Sequence, residues 1–357
     1  MKLNFLELNI GWISRLDIAL FTKNLAVMLK SGLTITESLE ISVEQTSGKL
    51  KKILKKVLLH ISEGNTLADS LHNYPRQFNH FYVNIVKLGE TGGSLEENLN
   101  HLSKQIEKEI SLRNKIKTAS IYPIFILLST FILGIVLSTF VLPRLSKLFS
   151  SLSMQLPWPT KVILYVANFF QHYSIWAVVA IIALVILLYW LKSLKFIKPA
   201  WHYLLLQIPL VGNMMKVYNL AQITRNLSVL LKSGMPINDS LAAIVRSIQN
   251  ETYKRALKNL VAKIESGDSL ANVLKDHKNL FPTMVIKMVN VGEKSGQLED
   301  ILTYLANFYE EEVDNTTKNL SSVVEPLLLI AIGLIVGFVG LSIIMPIYQI
   351  TGSVSAI

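Results

Sequence analysis

Asn24-Leu25-Ala26-Val27-Met28-Leu29-Lys30-Ser31-Gly32 is written a second time in this chain, as Asn226-Leu227-Ser228-Val229-Leu230-Leu231-Lys232-Ser233-Gly234. Over residues 24–39, ten of sixteen positions are identical at an offset of 202, where chance gives roughly one; self-similarity at a fixed period marks a duplicated structural unit. After one inserted residue the offset becomes 203. Gly64-Asn65-Thr66-Leu67-Ala68 then aligns with Gly267-Asp268-Ser269-Leu270-Ala271, and Phe78 with Phe281. Gly89-Glu90-Thr91-Gly92-Gly93-Ser94-Leu95 aligns with Gly292-Glu293-Lys294-Ser295-Gly296-Gln297-Leu298. Pro123 falls on Pro326 and Pro143 on Pro346, so the repeated unit is a polar segment followed by an apolar one.

Working outward, the apolar residues are concentrated. The chain has 357 residues, of which 51% are hydrophobic and only 17% charged, with a mean hydropathy of +0.41. A soluble domain carries about 25% charge, so this is neither an ordinary soluble chain nor a disordered one. Three stretches contain no charge: 124–142, 174–191 and 327–345. Each makes about 27–29 Å of helix, enough to cross the hydrocarbon of a bilayer. Asn4, Glu7 and Asn9 interrupt the N-terminal segment, so no cleaved leader is expected.

The net charge of +10 lies mostly in the two long polar segments. Arg113, Lys115 and Lys117 precede the first apolar stretch, and Lys192, Lys195 and Lys198 follow the second. By the positive-inside rule both polar segments face the cytoplasm. Two spans between them return the chain to the same side. The expected layout is an N-terminal segment (1–16), a first cytoplasmic module (17–123), a span (124–142), an extracytoplasmic loop (143–173), a second span (174–191), a cytoplasmic linker (192–218), a second module (219–326), a third span (327–345) and a short outside tail (346–357). Basic and acidic residues are mixed along the chain, so direct nucleic-acid binding is not expected.

Both modules read as helical. Apolar residues such as Leu16, Leu20, Leu25 and Met28 recur at helical spacing. Gly32 and Gly234 are helix stops, and Thr34 with Glu37 is a capping box. The fold class is therefore all-α: a polytopic membrane protein with two duplicated cytoplasmic bundles of about six helices each and three transmembrane helices.

Visible chemistry is sparse. With no cysteine there are no disulfides, thiolate metal sites or cysteine nucleophiles. The run beginning at Gly89 lacks the lysine of a phosphate-binding loop and the strand before it, so it reads as a tight helix–helix turn. Gly32, Gly234, Gly89, Glu90, Gly93, Gly292, Glu293 and Gly296 are the candidate structural or partner-docking turns. The seven histidines include no H-x-x-x-H pair. The acidic run Glu310-Glu311-Glu312 with Asp314 reads as a solvated helix face rather than a cation site. No catalytic residue, cofactor or metal site is expected. Gly134, Gly333 and Gly337 are small residues at positions where spans, or protomers, can approach closely. A transporter or channel subunit is the alternative, but its permeation path would need ionisable groups that the spans lack.

The duplicated modules, the G-E-x-[ST]-G-x-L motif in each copy and a proline at each span entry resemble the type II secretion F and type IV pilus inner-membrane platform family. Residues 292–298 fit the motif fully, while Gly92 stands in the first copy where serine or threonine is usual. The resemblance covers about residues 17 to 350. It implies six-helix antiparallel bundles, no enzymatic activity, no cofactor and a multi-pass protein of the cytoplasmic membrane with its C-terminus outside. It further implies a homo-oligomer embedded in membrane lipid. Its partners would be a cytoplasmic hexameric ATPase, pilin or pseudopilin subunits and other inner-membrane assembly proteins.

Overall fold

A computed structural model of the chain describes residues 13–136, 158–162, 197–209 and 211–354, with single positions at 165, 169, 179, 183, 187, 190 and 194. The described residues are helical and contain no strand. The first module is built from α1 (Arg15–Lys30), α2 (Ile35–Gln45), α3 (Gly48–Ser62), α4 (Leu67–His72), α5 (His80–Gly92) and the first part of α6 (Leu95–Val136). After α7 (Ile197–Gln207) the same order returns as α8 (Val211–Lys232), α9 (Ile237–Ser247), α10 (Glu251–Glu265), α11 (Leu270–Lys275), α12 (Thr283–Ser295) and α13 (Leu298–Val354). The one-residue step in offset falls between α2 and α3, in a loop, where an insertion leaves both cores undisturbed.

The helix boundaries follow from local chemistry. Thr34 accepts from the backbone N–H of Glu37, whose carboxylate returns to the N–H of Thr34, so the capping box is formed. The N–H groups of Gly32 and Leu33 donate to the carbonyls of Leu29 and Met28, closing α1, with Gly32 at φ +87°. Gly234 and Met235 repeat this pattern after α8, at φ +82°. In α3 the buried residues Leu50, Ile53, Leu54 and Val57 recur at one-turn spacing, and the intervening lysines face outward.

The two cores carry the same residue at equivalent places. Leu25, Leu39, Leu54, Leu71, Phe78 and Leu99 are buried in the first module, and Leu227, Leu241, Leu257, Leu274, Phe281 and Leu302 in the second. One exchange is compensated. In the first module Phe21 of α1 stacks edge-on against Phe78 at 6.1 Å. The second module has Ile223 at that place and puts its ring on α10 instead, where Tyr253 meets Phe281 edge-on at 5.8 Å. Ring volume moves from one neighbour of the central phenylalanine to another, which keeps the core filled.

Contacts divide the chain into two compact units. One takes in the described residues up to Lys115 together with His202–Asn315, so both modules belong to a single unit. The other comprises Ile116–Trp201 and Thr316–Ile357. Neither α6 nor α13 stops where the modules were expected to end. α6 runs through Pro123, and α13 through Pro326 and Pro346. Proline removes the bond to the carbonyl one turn back, at Ala119, Ser322 and Ser342, a loss that membrane helices tolerate. Among the described residues two helices are long and apolar enough to cross a membrane, within Leu95–Gly134 and Leu298–Ser342. In the second unit Thr160 donates to the carbonyl of Ser342 (2.7 Å), and the rings of Trp158 and Phe338 lie 6.0 Å apart. The expected span at 174–191 lies outside the described residues apart from 179, 183, 187 and 190. Most of 143–173, residues 137–142 and residues 1–12 also lie outside them. The expected linker at 192–218 contains α7 and the start of α8.

Candidate functional site

The two G-E turns have one geometry. α5 ends at Gly92, and Gly93 takes φ +67°; α12 ends at Ser295, and Gly296 takes φ +70°. The next helix then folds back along the one before it. Gly89 and Gly292 are buried at that crossing. A Cβ on Gly89 would lie 2.7 Å from the Cα of Leu95, and one on Gly292 3.1 Å from the Cα of Leu298. The backbone cannot yield as a side-chain tip can, so the first glycine of the motif sets how closely the two helices approach.

The glutamates reach the other way. The carboxylate of Glu90 accepts from the N–H groups of Leu67 (2.6 Å) and Ala68 (2.8 Å), at the start of α4. Glu293 accepts from Leu270 (2.6 Å) and Ala271 (2.9 Å), at the start of α11. Thr66 and Ser269 take the next N–H, from Asp69 and Asn272. A helix start leaves its first N–H groups without partners and carries partial positive charge. In each module the carboxylate satisfies two of these groups on a helix of only six residues. The turn thus ties α4 to α5 and α11 to α12 by charge-assisted bonds. Sequence reading located both glutamates. Their partners lie 22 and 23 positions earlier, and no local pattern marks them.

The expected outcome of two alanine substitutions separates packing from helix propensity. Gly89→Ala should destabilise by about 1–3 kcal/mol through overpacking. Gly92→Ala should be neutral or stabilise by roughly 0.5–1 kcal/mol, the gain of alanine over glycine inside a helix, because its Cβ would meet only Ser94 Oγ at 3.7 Å. Parallel thermal melts of the detergent-solubilised chain check both.

A second site lies where the modules meet. Lys108 reaches Glu310 (3.1 Å), which also pairs with Arg225 (2.7 Å). Gln105 donates to Asn226, and Lys115 pairs with Asp314. α5 packs against α9 across the same boundary. Burial holds the His101 imidazole below its usual pKa, with Lys104 and Lys232 acting in the same direction and Glu97 opposing. These contacts correct one sequence expectation. Glu310 is 7% exposed, so the acidic run is not uniformly a solvated face. Its helix lies at a boundary that only the packing of the two copies creates. Among the described residues no group of three or more His, Asp or Glu could hold a metal ion.

Among the described residues, a Cβ added at Gly134, Gly333 or Gly337 would meet no atom within 4 Å.

Comparison with known proteins gives this architecture its place. The family model described as "Type II secretion system (T2SS), protein F" matches twice, at residues 21–143 and 223–346, one match per repeat. The chain belongs to this family. Curated relatives extend the likeness over nearly the whole chain. The Type IV pilus assembly protein PilC of Myxococcus xanthus is 31% identical, over 96% of this chain and 82% of its own length. The PilC of Thermus thermophilus is 32% identical, over 95% and 84%. The Type II secretion system protein F of Vibrio cholerae is 30% identical, over 96% and 84%. Family membership and the two apolar helices together make this an all-helical membrane protein whose relatives are named for pilus assembly and protein secretion.

Proposed function

We propose that the chain is the inner-membrane platform of a type IV pilus or type II secretion assembly machine, and that it works mechanically, without chemistry of its own. Both modules face the cytoplasm in this reading, and they receive the movement of a cytoplasmic ATPase. The chain passes that movement to pilin or pseudopilin subunits and sits as a homo-oligomer among other inner-membrane assembly proteins.

The observation that supports this best is helix continuity. The last helix of each module is also a membrane helix: α6 has 42 residues and α13 has 57. No loop separates either module from the apolar stretch that follows it, so in this reading a push on a module is passed to its membrane segment along one helix. Ties at the G-E turns brace the start of each of these helices, since α5 and α12 are anchored to the short helices beside them. Within the bilayer, Gly134, Gly333 and Gly337 leave backbone that an apolar pilin helix could approach closely. A transporter fits less well, because 124–142 and 327–345 carry no ionisable group.

The test is purification of the tagged full-length chain in mild detergent from its own host, combined with deletion of its gene. The ATPase of the same machine should co-purify, and the deletion strain should make prepilins but assemble no pilus or secrete no cargo. Undiminished assembly in the deletion strain would sink the reading.

A further inference from the structure

The contact between the modules is between unlike surfaces. The first module contributes its α5–α6 face, including Gln105 and Lys108; the second contributes its α8–α9 face, including Asn226 and Ile248, together with Glu310 and Asp314 of α13. Because the modules are copies, each possesses both surfaces. One of each is used inside the chain, and one of each is left over. The unused pair is the side of α12–α13 in the second module that carries Tyr304 and Phe308, a different side of α13 from Glu310 and Asp314, and the α1–α2 face of the first.

Both faces expose apolar side chains. Val27 is 57% exposed, whereas its counterpart Val229 is 8% exposed. Phe308 is 37% exposed, whereas its counterpart Gln105 is 7% exposed. Tyr304 and Val291 flank Phe308's face and are each 52% exposed. Their counterparts His101 and Leu88 are half-buried. On the first module an open groove of about 380 Å³ runs between α1 and the end of α2, lined by Leu20, Asn24, Gln45 and Thr46. Its counterparts Gln222, Asn226, Ser247 and Ile248 line the cavity at the contact between the modules.

The residues at the two contacts also change together. Inside the chain a polar pair, Gln105 and Gln222, lines one cavity. The unused surfaces carry Phe308 and Leu20 at those two places. An exposed phenylalanine on one face is matched by an exposed leucine on the other, as burial of one against the other requires.

We propose that the α12–α13 face of one chain binds the α1–α2 groove of a second copy, repeating between chains the contact the modules make within one. The assembly is heterologous: each chain offers one face and one groove, and chains add head to tail until the ring closes. It deepens the platform reading, resting on it only for the two modules lying on the same side of the membrane.

The chain has no cysteine, so single thiols can be placed without background. Asn24→Cys and Phe308→Cys would be made in separate copies carrying different tags, co-expressed in membranes and treated with a short bis-maleimide. A Gln105→Cys/Asn226→Cys chain reports the contact within one chain and shows that such variants fold. The expected result is a covalent dimer carrying both tags from the mixture, and none from either single variant alone. Dimers from Asn24→Cys alone or Phe308→Cys alone would replace the head-to-tail contact by a symmetric one. No mixed dimer, with the intramolecular control linked, would overturn the proposal. Either result leaves ATPase co-purification free to succeed or fail separately.

Discussion

Glu310→Ala is expected to lower the stability of the two-module unit by about 3 kcal/mol, the low end for removing one partner of a buried ion pair. Arg225, 16% exposed at its side chain, would be left beside Asn307 with no carboxylate. A unit of this size loses roughly 2–4 °C of melting midpoint per kcal/mol, so the midpoint should fall by about 6–12 °C. Lys108 contributes little of this because its side chain is 58% exposed. Glu311→Ala, one residue away and exposed, should change stability by no more than about 0.5 kcal/mol. Thermal unfolding of the detergent-solubilised chain measures both. Equal melting of the two variants would show that Glu310 is solvated after all.

The larger effect is expected from the double variant Glu90→Ala/Glu293→Ala. Hydrogen bonds to a charged group contribute about 1.5–3 kcal/mol. Each substitution strands two N–H groups at the start of a six-residue helix. Water reaches these part-buried helix starts, so each carboxylate's pair of bonds is taken as about 1.5–3 kcal/mol in all; the sites lie in different modules and share no partner, so the losses should add, to about 3–6 kcal/mol. Hydrogen exchange should show the first-turn amides of α4 and α11 losing protection before the core of either module. Glu90→Gln and Glu293→Gln should recover part of the loss, because the amide oxygen accepts one bond without the charge. A double variant that melts like the parent yet no longer captures the ATPase would assign these glutamates to partner docking instead.

Both predictions concern residues that sequence treats unequally. Glu90 and Glu293 stand out at once, because the motif around them is written twice and its glycines announce a turn. Glu310 lies in a charge run, whose commonest setting is a wet helix face, and nothing nearby distinguishes it from Glu311. Its first-module counterpart Glu107 also pairs with a basic residue of its own module, Lys23, but both partners there are exposed. The same pair is buried in one copy and wet in the other because only one copy has a module packed over it.

The amino-acid order by itself determined the duplication, the helical class, the apolar segments and the caps and glycine stops of the short module helices. Those features rest on period, composition and capping, all of which act within a few residues along the chain. Tertiary structure alone decided which N–H groups each motif glutamate holds, that the two modules form one unit, and which of four equivalent faces remain uncovered. These depend on contacts between residues 22 to 202 positions apart. Nothing local encodes such pairings, because the two copies offer nearly the same surfaces and the fold uses each of them differently.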